Sequence, residues 1–144
     1  MPIATKGAPV LVREGMNPIV VTVGPDHTLR EAAKRMTKYR VGAAVVFDNE
    51  QPAPGIITER DLLRSNGRGE DIDKELVRDH LADQLIYAYA DWPLQKAAEE
   101  MTRGGFRHVI VLEQGTPIGI LSMRDIVRCW LTEGAGDVTP APAG

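Results

Sequence analysis

The chain has 144 residues, of which 43% are hydrophobic and 26% charged, and its net charge is −3. This composition is typical of a globular protein large enough to bury a core. The small negative charge argues against a nucleic-acid-binding surface. Cys129 is the single cysteine, which excludes an intramolecular disulfide and a cysteine-based metal cluster. No apolar run reaches the length of a membrane span and no signal peptide is recognisable. We therefore expect a cytoplasmic protein that binds neither nucleic acid nor membrane.

The chain repeats one pattern. TLREAAKRMTKYRVGAAVVF at 28–47 matches PLQKAAEEMTRGGFRHVIVL at 93–112, and VREGM at 12–16 matches VRDHL at 77–81. Such self-similarity predicts two copies of one structural unit. The predicted organisation is an N-terminal extension at 1–11, a first repeat at 12–67, a linker at 68–76, a second repeat at 77–131 and a disordered tail at 132–144.

The first repeat changes its periodicity in a fixed order. IVVTV at 19–23 is β-branched and indicates a strand. The apolar residues of 29–36 recur at helical spacing. AAVVF at 43–47 indicates a buried strand, and GIIT at 55–58 a further strand. A second helix is expected from Glu59.

The second repeat follows the same order, with LIYAY, a helix at 94–101, VIVL, IGIL and a helix through Ile126, Val127 and Leu131. One such repeat is too small for a dependable core. We therefore predict an α/β fold in which two β-α-β-β-α repeats pack sheet to sheet with pseudo-twofold symmetry. The polar stretch SNGRGEDIDKE at 65–75 is predicted to link them.

The duplicated signature GIITERDLLR and GILSMRDIVR admits two interpretations. Thr58 and Asp61, like Ser122 and Asp125, have the spacing of a helix capping box, in which the hydroxyl and the acid satisfy free N–H groups. The same geometry places a hydroxyl and a carboxylate at a helix N-terminus, where polar or anionic ligands bind. A carboxylate there can accept hydrogen bonds from a ribose diol. The residues alone leave both interpretations open.

These tandem motifs over about residues 10–131 resemble a pair of cystathionine-β-synthase (CBS) domains, known as a Bateman module. The resemblance implies that adenosine compounds bind in the clefts between the repeats: AMP, ADP or ATP, or S-adenosylmethionine. It also implies a homodimer and a regulatory role toward another protein, which the sequence does not name. We expect no catalysis, because no nucleophile–base pair, metal cluster or phosphate-binding loop is recognisable.

The resemblance implies two sites. In both, the hydroxyl and carboxylate contact ribose, and apolar residues of the other repeat hold the adenine. One site would combine Ser122, Asp125, Arg107 and His108 with Ile19, Val21, Val41 and Gly42. The other would combine Thr58 and Asp61 with Ile86, Phe106 and Arg107. Arg60 and Arg124 are possible phosphate contacts, with solvated arginines paired to a neighbouring acid such as Glu59 as the alternative.

The two sites differ where phosphate is expected. Arg107 and His108 align with Gly42 and Ala43, and an arginine can hold a phosphate with two hydrogen bonds. We therefore favour the site with Ser122 and Asp125. The site with Thr58 and Asp61 is the weaker candidate, and Phe106 is expected to narrow its adenine slot. The alternative for His108 is a satisfied histidine at a strand edge.

Two further positions were weighed as ligands. His27 aligns with Trp92, and both are predicted to be structural contacts at a helix entry. His80 has no second histidine nearby, so no metal site is predicted. The competing function is a ligand-free module for dimerisation or protein interaction.

Overall fold

A computed structural model describes residues 9–81 and 87–134 of the chain. The chain divides into two compact units. We call residues 19–85 the central unit, and residues 1–18 together with 86–144 the terminal unit. No helix within the described ranges is long and apolar enough to cross a bilayer.

The central unit has the predicted order of strands and helices. Its elements are β1 (Thr22–Val23), α2 (Leu29–Tyr39), β2 (Ala43–Val46), β3 (Gly55–Thr58), α3 (Glu59–Gly67) and a 3-10 turn (Val77–His80). The sheet order is β1-β2-β3, with β1 parallel and β3 antiparallel to β2. Strand β2 is buried along its whole length, as its continuous apolar sequence predicts.

The terminal unit repeats this arrangement. Its elements are α1 (Val12–Gly15), β4 (Tyr87–Tyr89), α4 (Leu94–Gly104), β5 (His108–Glu113), β6 (Thr116–Ser122), α5 (Met123–Cys129) and a π-helical turn (Trp130–Gly134). The sheet order is β4-β5-β6, with the same parallel and antiparallel pairing. The predicted α/β fold of two β-α-β-β-α repeats is confirmed.

Helix α2 begins at a capping box and ends at a left-handed residue. The Thr28 hydroxyl accepts a hydrogen bond from the Glu31 N–H at 3.1 Å, and the Glu31 carboxylate accepts from the Thr28 N–H at 2.9 Å. This backbone hydrogen bond is the main reason that the pKa of Glu31 is lowered. Arg40 follows the helix with φ of 57°, and Gly105 takes the same left-handed conformation after α4. Helices α2 and α4, which occupy matching positions in the two repeats, therefore both end at a residue in the left-handed conformation.

The first residues of the first repeat pack in the terminal unit, and the first residues of the second repeat pack in the central unit. Val12 lies in α1, and its N–H donates to the Trp92 carbonyl at 2.9 Å. The aligned residue Val77 donates in the same way to the His27 carbonyl at 2.8 Å. Both valine side chains are completely buried. The two short segments have thus been exchanged between the units.

Gly15, at the end of α1, shows how closely this segment packs. A Cβ atom at this position would lie 3.0 Å from Cys129 Sγ and 3.2 Å from a methyl group of Leu94. Even an alanine would require the Cys129 or Leu94 side chain to move by a few tenths of an ångström. The glycine therefore favours the close approach of α1.

The structure differs from the sequence predictions at three places. The strand predicted at 19–23 is only two residues long, because the chain before Thr22 forms no continuous ladder. The segment predicted as a linker is packed: Ser65 is buried within α3, and the Leu29 N–H donates to the Glu75 carbonyl at 3.0 Å. The last α-helix ends at Cys129 and continues as the π-helical turn. Residues 1–8 of the predicted extension and 135–144 of the predicted tail lie outside the described residues.

We expect the two exchanged segments to contribute equally to stability. Val12→Ala and Val77→Ala should each lower the free energy of unfolding by about 2 kcal/mol, because each removes fully buried methyl groups. Leu63→Ala, at a residue 69% exposed, is the control and should change it little. Urea denaturation measures all three. A Val12→Ala loss no larger than that of the control would contradict the packing role of α1.

Candidate functional site

A capping box stands where β3 of the central unit ends and α3 begins. The Thr58 N–H and hydroxyl donate to the same oxygen of Asp61, Oδ2, at 2.8 and 2.9 Å. The Asp61 N–H donates back to the Thr58 hydroxyl oxygen at 3.4 Å. Asp61 is half-buried, and within the described ranges its other oxygen, Oδ1, has no hydrogen-bond partner. The predicted capping box is confirmed here, and one carboxylate oxygen is left over.

The terminal unit has the matching capping box, with one additional contact. The Ser122 N–H and hydroxyl both donate to Asp125 Oδ2 at 2.8 Å. Asp125 is buried, with 7% of its surface exposed. Its second oxygen accepts a hydrogen bond from the Arg128 guanidinium at 3.0 Å. Arg64 aligns with Arg128 but forms no ion pair within the part of the chain that the structure describes. The two carboxylates therefore differ in their availability to a ligand.

The start of each second strand lies beside the start of the following helix. In the central unit Ala43 pairs with Thr58, and the Glu59 N–H donates to the Gly42 carbonyl at 2.9 Å. In the terminal unit His108 pairs with Ser122. Within each unit, the first residues of the second strand therefore lie beside the hydroxyl–carboxylate pair of that same unit, while the predicted contribution of Gly42 to the site of Ser122 stays a prediction.

Arg107 joins the same neighbourhood through its backbone, since its carbonyl accepts the Met123 N–H at 3.0 Å. The side chains of Arg60, Arg107 and Arg124 are exposed. None of the three pairs with an acid in the described ranges, so the pairing of Arg60 with Glu59 is not found. His108 is half-buried on β5. Arg107 and Arg124 thus lie in sequence or through the backbone beside the start of α5, whereas Arg60 lies in the first turn of α3.

The predicted site residues are distributed over the two units. The central unit contains Thr58, Asp61, Arg60, Ile19, Val21, Val41 and Gly42. The terminal unit contains Ser122, Asp125, Arg107, His108, Phe106 and Arg124, while Ile86 lies outside the described residues. Each predicted site draws on both units, and its assembly across them stays a prediction.

Phe106 packs against its own helix. A Cβ atom at Gly104 would lie 2.2 Å from the Phe106 ring, so the ring covers the last turn of α4. Phe106 also contacts the buried cluster of the terminal unit. The sequence analysis missed this contact, although the Gly-Gly-Phe sequence is a signal for it: a ring can fold back where the helix end has no side chains.

The two helix-entry residues make local contacts. The Gly24 N–H donates to His27 Nδ1 at 2.9 Å. Trp92 contacts the Tyr89 ring edge to face at a centroid distance of 5.7 Å, with the Lys96 ammonium 4.2 Å from the centre of the Trp92 ring. Both residues are therefore engaged in entry contacts, as predicted from their alignment.

A cavity of about 780 Å³ lies elsewhere in the terminal unit. Its lining is mainly apolar and includes Val10, Pro93, Leu94, Ala98, Ile126 and Trp130. None of the predicted ligand-binding residues lines it. Cys129 does, which places the thiol at a half-buried position instead of the deep core.

His80 has neighbours that the sequence analysis did not anticipate. Its Nε2 atom lies 2.8 Å from Glu75 Oε1. One ligand atom from each of Glu70, Glu75 and His80 lies within 4.8 Å of the others. These spacings match no common metal motif, and the three residues meet only because the segment after α3 folds back.

The comparisons with known proteins agree with this fold. A family model described as CBS domain matches residues 11–67 and 77–131. An uncharacterized 17.7 kDa protein of Acidianus ambivalens is 35% identical over 113 residues, 78% of this chain and 68% of the relative. In two further curated relatives the chain spans 57% and 41% of their length.

Two solved structures are also similar. A CBS-domain containing protein of Agrobacterium tumefaciens is 34% identical with a TM-score of 0.74, covering 85% of this chain and 95% of that one. A CBS domain protein of Pyrobaculum aerophilum, complexed with AMP, is 32% identical with a TM-score of 0.72, covering 81% and 89%. With both repeats matched by the family model, the chain belongs to the CBS-domain family, as a tandem pair of CBS domains.

Proposed function

We propose that this chain is a stand-alone regulatory module that binds an adenosine nucleotide in the clefts between its repeats. The observation that carries the proposal is the hydroxyl–carboxylate pair at the start of α5, close in the chain to Arg107 and Arg124, which form no ion pair with any described residue. The AMP complex of the Pyrobaculum relative supports the ligand class. The proposed activity is recognition without turnover.

In the favoured site, Ser122 and Asp125 contact the ribose, and Arg107 and His108 the phosphate. Adenine is held by Ile19, Val21, Val41 and Gly42. The weaker site uses Thr58 and Asp61 with Ile86, Phe106 and Arg107, and Arg60 and Arg124 are further phosphate contacts. S-adenosylmethionine shares the adenosine group but lacks the phosphate, so it should gain little from Arg107.

The same carboxylate can cap the helix with one oxygen and bind a ribose with the other. At Asp125, a diol must share Oδ1 with Arg128 or displace it. The Arg128 side chain is 61% exposed, and a pair with one exposed partner contributes about 1 kcal/mol or less. At Asp61, Oδ1 needs no displacement. The ribose contact therefore slightly favours Asp61, and the phosphate contacts favour the site of Asp125. A guanidinium–phosphate pair is the stronger interaction.

Regulation requires that the ligand prefer one arrangement of the protein over another. A nucleotide that binds residues from both repeats would stabilise one relative position of those repeats. The affinity of a partner protein, or of the second copy in a homodimer, would then depend on this relative position. The module would thus convert nucleotide concentration into a conformational or dimer change.

A second candidate function, dimerisation or protein interaction without a ligand, has one observation in its favour. Val127, Trp130 and Leu131, at the end of α5 and in the π-helical turn, are 49%, 50% and 48% exposed. Three large apolar side chains in five residues are typical of a surface that another protein covers. We propose that a second copy of the chain covers them.

Calorimetry separates the favoured site from the weaker one. Asp125→Ala should weaken AMP, ADP or ATP binding about 10- to 100-fold, because it removes hydrogen bonds to a charged group. Asp61→Ala should cause a smaller loss. Glu31→Ala is the matched control, because it removes the acid of another capping box without touching either site. Equal losses for Asp125→Ala and Asp61→Ala, or none in either, would refute the ranking.

The oligomeric state tests the second candidate. The native protein should have the mass of a dimer by light scattering, and Trp130→Ser should shift it toward the monomer at micromolar concentration, because tryptophan is a frequent energetic centre of interfaces. Phe47→Ser, at a residue also 50% exposed, is the control and should remain dimeric. A monomeric native protein, or a dimer unaffected by Trp130→Ser, would rule out this surface.

A further inference from the structure

A histidine and two glutamates converge in the segment that follows α3. The His80 side chain is 7% exposed, against 34% for Glu75, and its Nε2 atom lies 2.8 Å from Glu75 Oε1. Glu70 completes the group, with one ligand atom of each residue within 4.8 Å of the others. A nearly buried imidazole therefore faces two carboxylates that still reach solvent.

Glu70 is held in place by a buried hydroxyl. The Ser65 hydroxyl, which is completely buried, donates to Glu70 Oε1 at 2.7 Å. This hydrogen bond is the main reason that the pKa of Glu70 is lowered, so the group is a carboxylate at neutral pH. Arg68 also approaches the same oxygen at 3.4 Å, with 57% of its side chain exposed. An oriented carboxylate with an outer hydrogen-bond partner is the usual arrangement around metal ligands.

The charges of the group need a cation. Two carboxylates face a single imidazole. Among the ion pairs of the described residues, Arg68 is the further cation of the group, and its exposure weakens its effect. A divalent ion between the three ligand atoms would offset both negative charges.

We propose that Glu70, Glu75 and His80 bind a divalent transition-metal ion of the zinc type. One imidazole nitrogen with two carboxylate oxygens suits Zn²⁺, which takes such ligands at about 2.0–2.2 Å and can keep a water in the fourth position. Ca²⁺ and Mg²⁺ prefer oxygen ligands alone. In a tetrahedral site the ligand atoms would lie about 3.4 Å apart. His80 Nε2 and Glu75 Oε1, which lie 2.8 Å apart, must therefore separate slightly to admit the ion, which the partly exposed Glu75 side chain permits.

The three proposed ligands lie at 70–80, between α3 and the end of the 3-10 turn, and they have no counterparts in the first repeat. His80 aligns with Gly15, and Glu75 aligns with Val10, so the first repeat offers no such ligands at the matching positions. The capping boxes, by contrast, are duplicated. The three ligands were thus not required by the folding pattern that both repeats share.

Metal binding would fix the conformation of the segment from Glu70 to His80, which is part of the central unit. Glu70 lies just after α3, and His80 lies in the 3-10 turn that carries the buried Val77. The backbone between them already bonds to α2, through the Ile72 carbonyl and the Arg30 N–H at 3.0 Å. An ion would close this segment into a loop and stabilise it. This role does not depend on nucleotide binding.

Calorimetry and elemental analysis test the site on the full chain after treatment with a chelator and dialysis. Zn²⁺ should bind with one ion per chain, and the unfolding midpoint should rise as free Zn²⁺ exceeds its dissociation constant. Mg²⁺ should give no comparable shift.

Three variants locate the ion. Glu70→Gln and Glu75→Gln keep the side-chain shape and should each weaken Zn²⁺ binding by at least about tenfold. His27→Gln, which removes a histidine outside the group, should bind as the native protein does. Urea denaturation without metal checks that the variants fold. The absence of Zn²⁺ binding at millimolar concentration, or equal affinity in Glu70→Gln, Glu75→Gln and the native protein, would overturn the proposal.

Discussion

The structure depends on two short segments that each complete the other repeat's unit. Val12 and Val77 occupy aligned positions, are completely buried, and bond to the backbone at aligned helix entries. The terminal unit, which contains most of the second repeat, therefore needs the first residues of the first repeat. The central unit, which contains most of the first repeat, needs the first residues of the second repeat. Neither repeat has a complete core by itself, which explains why both copies occur in one chain.

This exchange also positions the chemistry. In each unit, the short segment from the other repeat completes the core on which the sheet and the helices pack. The last strand of the sheet leads directly into the following helix. The capping box at that point uses Thr58 or Ser122 with the acid three residues later. The same side chains then present oxygen atoms at the helix N-terminus. In the proposed function, the carboxylate that caps the helix also binds the ribose, and the contacts around it determine which of the two proposed sites binds the nucleotide more tightly.

The sequence predicts the elements that depend on local pattern. The GIIT strand, the apolar faces of α2 and α4, and both capping boxes follow from spacing and residue type alone. Long-range contacts were not predictable: nothing near Val12 indicates that it pairs with Trp92. The packing of 65–75 was missed for the same reason, since its polar sequence is typical of a linker. At the candidate site, the spacing predicts the two hydroxyl–carboxylate pairs, but the contact of Arg128 with Asp125 and the packing of Phe106 over Gly104 are visible only in the structure.

We propose above all that the duplicated hydroxyl–carboxylate pairs, Thr58 with Asp61 and Ser122 with Asp125, bind an adenosine nucleotide. Native mass spectrometry of the protein, purified gently and then titrated with AMP, ADP and ATP, tests it most directly. We expect the mass of the protein to increase by that of an adenosine nucleotide, either already as purified or on titration at micromolar concentration. A protein that keeps its unliganded mass at millimolar concentrations of all three nucleotides would contradict the claim.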